Sequence, residues 1–201
     1  MTSRRLAVLS SGLSTPSSTR LLADRLTAVT VDALSERGVP AEVDRIELRE
    51  LGHALVDQAV TGFPSPALRA ALEATQRADG LIAVTPVYSA SYTGLFKLFF
   101  DGLDREVLAG KPTLIAATGG TARHSLALEH AVRPLFAHLR ATVVPTAVFA
   151  APEDWGGGEA LDRRIARAAT ELADLIAARP ASTPTDPFST PTPFEQLLSG
   201  A

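Results

Sequence analysis

Leu81-Ile-Ala-Val-Thr-Pro-Val-Tyr-Ser-Ala-Ser-Tyr-Thr-Gly-Leu-Phe-Lys-Leu-Phe-Phe100 carries the pattern of the whole chain in one stretch. Leu81 to Thr85 is a short apolar run bounded by Asp79-Gly80 and by Pro86, as expected of a buried parallel strand. A loop of small and turn-forming residues follows. Gly94 to Leu103 then reads as a helix that is apolar nearly all round, at Leu95, Phe96, Leu98, Phe99, Phe100 and Leu103. One buried stripe does not require so many apolar positions, so a second covered face is expected, read as a subunit contact.

The same strand, loop and helix alternation extends in both directions. Upstream, Leu6 to Ser10 is a compact apolar run, and Leu22, Leu26, Val29 and Ala33 recur at helical spacing until Gly38 and Pro40 end the helix. Val43 to Leu48 alternates apolar and polar, which suits a strand at the sheet edge. Ala67 to Ala78 is helical, with Ser65-Pro66 as cap and first turn. Downstream, Thr113 to Ala117 and Thr142 to Phe149 read as strands. Leu128, Val132, Leu135 and Leu139 mark one helix, and Leu161, Ile165, Ala168, Leu172 and Leu175 mark the last. Five strands, each followed by a helix, predict an α/β fold: a flavodoxin-like doubly wound five-stranded parallel sheet, order 2-1-3-4-5, in three layers.

This domain spans residues 1–179. From Pro180 the composition turns to Pro, Ser and Thr, so 180–201 reads as a tail that cannot fold alone. Its end, Phe194-Glu-Gln-Leu-Leu198, is apolar again, and either docks on a partner subunit or frays.

Bulk properties narrow the function. A net charge of -3 argues against a nucleic-acid partner, which needs a basic excess. No apolar run approaches the roughly 20 residues that cross a bilayer, and Met1 to Arg5 leads straight into a strand without a leader-like segment. Cysteine is absent, which excludes disulfides, thiol chemistry and thiolate zinc sites and fits a cytoplasmic protein. His53, His124, His130 and His138 have no ligand-cluster spacing, so no metal is expected.

In such a sheet, ligands sit at the carboxyl ends of the strands near the switch in strand order. The first loop, Ser10-Ser-Gly-Leu-Ser-Thr-Pro-Ser-Ser-Thr19, offers hydroxyls and backbone N–H groups at a helix N-terminus, which suits a phosphate. It is neither G-x-G-x-x-G nor a P-loop, so a mononucleotide such as FMN is favoured over a dinucleotide. Ser17 to Thr19 also suffice as a plain helix cap, and on this loop alone the two readings stand level. The third-strand loop presents a flat ring at Tyr88, with Ser89 and Ser91 small enough for a planar ligand to approach. The fourth, Ala117-Thr-Gly-Gly-Thr121, is again poor in side chains and is followed by His124. Two such loops face to face make a slot for a flat heterocycle.

These residues resemble the NADPH-dependent FMN reductase family, over about residues 5 to 178. The family shows a G-S-x-R-x-x-S-like first loop, a P-E-Y-N-x-S-x-P-G-x-L-K-N segment after the third strand and a Gly-rich fourth loop. Here the second motif stands as Pro86-Val-Tyr-Ser-Ala-Ser-Tyr-Thr-Gly-Leu-Phe-Lys97. The third, Ala117-Thr-Gly-Gly-Thr-Ala-Arg-His124, looks most like the flavin reductases of two-component alkanesulfonate monooxygenase systems. The resemblance implies that Ser10, Ser17, Ser18 and Thr19 hold the FMN phosphate. Pro86, Val87, Tyr88 and Ser89 would line one side of the isoalloxazine, and Thr118, Gly119 and Gly120 the other. It also implies that Tyr92 lies at a π-bulged start of the interface helix and stacks near flavin across the oligomer; an ordinary interface aromatic is the plainer alternative. His124 either meets flavin or nicotinamide or simply packs.

The first-loop arginine of the family falls at Ser14 or a neighbour here, leaving Arg20 as the nearest guanidinium. A charged hydrogen bond contributes roughly 1.5–3 kcal/mol, so FMN is expected to exchange as a substrate. Hydride transfer from NADPH or NADH to FMN needs stacking and orientation more than an acid or base, so no side chain is obligatory in catalysis. Backbone N–H groups around Ser89 and Gly119 are expected to face negative charge on the reduced ring. The expected whole is a homodimer or homotetramer that passes reduced FMN to a partner monooxygenase. No basic clamp for a 2′-phosphate can be placed from the sequence beyond Arg123, so NADPH and NADH both stay open. The rivals are a quinone, azo-dye or chromate reductase with tightly held FMN and a flavodoxin-type electron carrier. A hydrolase using Ser10 or Ser11 has no G-x-S-x-G elbow to support it. Trp155-Gly-Gly-Gly158 reads as a connector before the last helix, or as a cover for the flavin.

Overall fold

A computed structural model describes residues 3–156 and 159–180. Its centre is a parallel sheet of β1 (Arg4–Ser10), β2 (Ala41–Glu47), β3 (Gly80–Pro86), β4 (Pro112–Thr118), β5 (Thr142–Val143) and β6 (Val148–Ala150). The strand order is β2-β1-β3-β4-β5, with β6 also on β4, so the flavodoxin-like order is observed. β3 and β4 are buried from end to end, which is why they read as unbroken apolar runs. β2 lies at the edge and does not alternate cleanly: Ile46 is its one buried residue, on the first core, while Ala41 and Val43 turn to the second.

Side chains of alternate strand positions feed two cores. Ala7, Leu9, Ala83 and Ile115 face α3 (Pro66–Arg77), α4 (Gly94–Asp101) and α5 (Arg133–His138), while Leu6, Val8, Ile82 and Leu114 face α1 (Ser18–Glu36) and α6 (Glu159–Ala178). The first core is braced by aromatic rings. Phe100 meets Phe96 and Phe136 with centroids 4.8 and 4.9 Å away, contacts that contribute about 0.5–1.5 kcal/mol each beyond area burial.

Three local expectations are corrected. The single strand expected over Thr142 to Phe149 is broken: Thr113 pairs with Val143 but Ala116 with Val148, so three steps along β4 match five along its neighbour. Pro145 lies in the bulge, where it has no N–H to lose from the ladder, and Arg133 donates to the Val144 and Pro145 carbonyls instead. The helix expected from Leu128 is a π-helical turn, Leu128–Val132, followed by α5. The Arg133 N–H reaches back to Leu128 O, ahead of Pro134, which cannot donate. That wider turn brings Phe136 rather than Leu135 fully into the core. No π bulge occurs at Tyr92: α4 starts regularly, with Thr93 Oγ1 accepting from the Phe96 N–H.

A further helix, α2 (Gly52–Thr61), was not legible in the sequence. Only its Leu55 is buried, and no side chain caps its start. It packs beside α4, with Gly52 close to Leu95, and so takes part of the second face of α4 that was read as a subunit contact. The segment Phe194 to Leu198 lies outside the described residues.

Lys111 is buried at the end of α3, where its Nζ donates to Thr75 O at 2.6 Å and Gln76 O at 2.8 Å. Burial pushes its pKa down to about 8, with Asp79 opposing the shift and Arg179 adding to it. The unfolded chain therefore binds more protons than the folded one from about pH 8 up to the ordinary lysine value near 10.4, and stability rises with pH across that window. Urea denaturation between pH 7.5 and 10.5 should show this rise, and Lys111→Met should flatten it.

Candidate functional site

Three strands end at one level because the parallel register carries them there, Pro86 beside Thr118 and Thr118 beside Ala150, while β1 ends two residues earlier, with Ser10 beside Val84. The loops that leave these ends enclose a cleft of about 310 Å³. The first loop contributes Ser14, Ser18 and Thr19, the third Pro86, Val87 and Tyr88, and the fourth Thr118, Gly119 and Gly120. Thr19 and Thr118 join two of the walls through their hydroxyls, 2.8 Å apart. None of the described residues that line the cleft carries a charge.

The other expected phosphate residues lie elsewhere. Ser17 is the N-cap of α1, its Oγ accepting from the Arg20 N–H at 3.2 Å. Ser10 is buried at the end of β1, with its hydroxyl toward the Glu47 carboxylate and no place in the cleft wall. A neighbouring cavity of about 480 Å³ runs from the first loop to the end of β2, lined by Ser14, Ser17, Arg20, Glu47 and Arg49 among others. Here Arg20 lies 3.8 Å from both Asp24 and Glu47, and Arg49 donates to Thr15 Oγ1. Burial raises the Glu47 pKa, and Arg20 opposes that shift. Arg20, the guanidinium nearest the first loop in sequence, is thus held in ion pairs beside the neighbouring cavity, and Arg49 meets the loop itself at Thr15.

Beyond Tyr88 the backbone is strained. The Tyr88 and Ser91 N–H groups each donate to the other residue's carbonyl, at 2.9 and 3.1 Å, closing a two-residue hairpin. Its tip, Ser89 and Ala90, has φ of 49° and 65°, left-handed values that such a turn needs and that glycine or asparagine supplies most easily. The turn is pinned back by Thr85, whose Oγ1 accepts from the Thr93 N–H at 3.2 Å. Ser89 therefore sits in the turn beside the cleft and does not line it.

The glycine pair divides its tasks. A Cβ on Gly119 would stand 2.7 Å from the Phe149 ring, so this glycine is required by packing, whereas Gly120 faces open space. The Gly119 N–H donates to Ala150 O at 3.1 Å, continuing the ladder past Thr118. It is not free to face a reduced ring, which corrects that expectation. Tyr92 stacks on Phe96 with centroids 5.7 Å apart and lies outside the cleft of its own chain, as do Arg123 and His124, both exposed in a short 3₁₀ turn. Lys97 pairs with Asp101 at 2.6 Å on the surface of α4.

Sequence reasoning passed over one wall. Ala150, Pro152 and Trp155, at the end of β6 and in the 3₁₀ turn after it, close the fourth side. The Trp and Gly run reads in sequence as a connector or as a cover for the flavin, and the β4–β6 pairing is what carries it to the cleft. Among the described residues there is no cluster of His, Asp and Glu able to hold a metal ion, and no helix long and apolar enough to cross a membrane.

Residues 4–156 match the family described as NADPH-dependent FMN reductase. The chain is 40% identical over 149 residues to the NADH-dependent FMN reductase SfnF of Pseudomonas putida, covering 74% of this chain and 78% of that one. It is 35% identical over 179 residues to an FMN reductase (NADPH) of Pseudomonas aeruginosa, covering 87% and 94%. Among solved structures, an oxidoreductase from Corynebacterium diphtheriae superposes with a TM-score of 0.86 at 52% identity, over 89% of this chain and 99% of that one. An apo NADH:FMN oxidoreductase, EmoB, follows at 0.78 and 29%, over 89% and 92%.

The hairpin beside the cleft yields a stability test. Ala90→Gly removes the left-handed strain, about 1–2 kcal/mol, against a glycine entropy cost of roughly 0.5–1 kcal/mol. Urea denaturation should show a net gain of about 0.5–1 kcal/mol, and Ala90→Val should show a loss.

Proposed function

The chain belongs to the NADPH-dependent FMN reductase family and is an NAD(P)H-dependent FMN reductase, and on that premise we propose that FMN passes through it as an exchanging substrate. The observation that carries this is the uncharged cleft wall. A dianionic phosphate at Ser18 and Thr19 would be met by hydroxyls and the N-terminus of α1, with no guanidinium in the cleft wall, since Arg20 is engaged by Asp24 and Glu47 and Arg49 by Thr15. The residues fit a flat ring as well: Pro86, Val87 and Tyr88 would bear on one side, Thr118 and the open Gly120 on the other.

When bound, FMN supplies the hydride-accepting chemistry of the reaction. The chain's own residues hold the two substrates in register and keep the slot narrow. The Thr19–Thr118 contact and the hairpin pinned by Thr85 fix the walls before either substrate arrives, so little ordering is left for the encounter.

Reduced FMN released to solution is consumed unproductively by oxygen, so an exchanging reductase implies a partner that takes it up, a flavin-dependent monooxygenase. A homo-oligomer is supported by apolar surface: Val60 is 82% and Phe63 79% exposed, and Val56 lies one turn from Val60 on the same face of α2. Leu95 and Leu98 of α4, half-buried, adjoin this region. Tyr92, outside its own cleft, is the residue proposed to reach a neighbouring subunit's flavin.

Three measurements test these readings. FMN should be lost on extensive dialysis and act as a saturable acceptor in NAD(P)H oxidation; stoichiometric retention would favour the quinone-reductase type of mechanism. Ser14→Arg, restoring a cation at the rim, should lower the FMN dissociation constant by about tenfold to a hundredfold. Val60→Asp with Phe63→Asp should reduce the assembled mass in light scattering, and an unchanged mass would move the interface elsewhere.

A further inference from the structure

The cleft is flanked by two aromatic rings, and the flavin reading uses one. Tyr88 adjoins Val87, which packs on the core under α3 and α4, whereas Trp155 packs on the opposite core, against α1 and α6. Both rings line one cleft, Tyr88 from the third loop and Trp155 from the turn after β6. With a flavin ring against Tyr88 and Gly120 and its phosphate at Ser18, the indole remains as a second flat surface of the same cleft.

Trp155 is held there by several contacts. It ends the 3₁₀ turn Pro152–Trp155, whose Asp154 accepts from the Ala151 N–H at 2.9 Å and from Arg164 at 2.7 Å. The Arg25 guanidinium lies 5.9 Å from the ring centroid and is itself anchored by an ion pair with Asp162. Arg25 is about two helical turns after Ser18 on α1, which places the indole beside that helix. The ring stays half-buried, lining the cleft, and no described residue along the cleft wall places a charge beside it other than this guanidinium behind it.

We propose that Trp155 is the stacking surface for the adenine ring of a dinucleotide, with Arg25 fixing the plane of the indole. A flat purine suits this surface because an indole offers a broad π-face and needs no hydrogen-bond match. The adenine belongs either to the NAD(P)H donor or to FAD taken in place of FMN. The inference rests on the flavin placement proposed above.

The test compares substrates with and without adenylate in wild type, Trp155→Ala and Trp155→Phe. Ratios of KM are read because they do not depend on the fraction of enzyme that folds. If the donor supplies the adenine, Trp155→Ala should raise KM for NADH about tenfold relative to reduced nicotinamide mononucleotide, with Trp155→Phe intermediate. If FAD supplies it, the tenfold change should appear in KM for FAD relative to FMN. Both ratios staying at the wild-type value would overturn the proposal. So would an equal rise for FMN and FAD, which would make the indole part of the flavin site itself. Should Trp155→Ala not accumulate, the wild-type enzyme still decides: Trp155 is the chain's one tryptophan, and ADP-ribose, which does not absorb its emission, should shift or quench that fluorescence saturably. No response to ADP-ribose would overturn the proposal. FMN retention on dialysis, in contrast, would overturn the exchange reading and leave the donor ratio untouched.

Discussion

The parallel register of β1, β3, β4 and β6 is the constraint on which the site depends. Because Pro86, Thr118 and Ala150 finish at one level, with Ser10 two residues behind them beside Val84, four loops meet over the sheet. The Thr19–Thr118 hydroxyl contact then ties the first turn of α1 to the end of β4 across the chain. Both threonines are buried, so the contact lies in a low dielectric, where a satisfied polar pair holds its geometry and an unsatisfied one would be costly.

The cleft combines two kinds of rigidity. On one side the hairpin at Tyr88 holds two non-glycine residues at positive φ, a strain that persists because Thr85 and the mutual Tyr88–Ser91 bonds over-determine it. On the other, Gly119 is locked by the Phe149 ring and by the Ala150 carbonyl. Charge is kept out of the wall and gathered beside it, where Arg20 pairs with Asp24 and Glu47 and Arg45 with Asp24. A site of this type recognises by shape and orientation, which suits a reaction whose chemistry resides in its two cofactors.

Much of the fold was legible because it follows from local physics. Fully buried strands must be continuous apolar runs, as Leu81 to Thr85 and Thr113 to Ala117 are, while the edge strand tolerates charged residues among its apolar ones. The caps Ser17 and Ser65 and the stop at Gly38 were equally plain, since each meets a backbone need of its own helix. What escaped were features with no local signature. α2 buries one leucine, so its period is faint. The π turn and the bulge at Pro145 shift register by one or two residues, which no apolar spacing announces.

The sequence by itself determined the strand and helix alternation, the order of the sheet, the hydroxyl-rich and glycine-rich loops, and the family to which the chain belongs. Only the tertiary structure decided which loop residues share one cleft. Ser18 and Thr19 face it while Ser17 caps and Ser10 is buried, because one turn of helix and one strand position point neighbouring side chains in different directions. It alone brought Trp155 to the wall, since β6 reaches β4 only after the bulge at Pro145 has restored pairing. Local propensity sets which elements form; the long-range register between them sets which side chains meet.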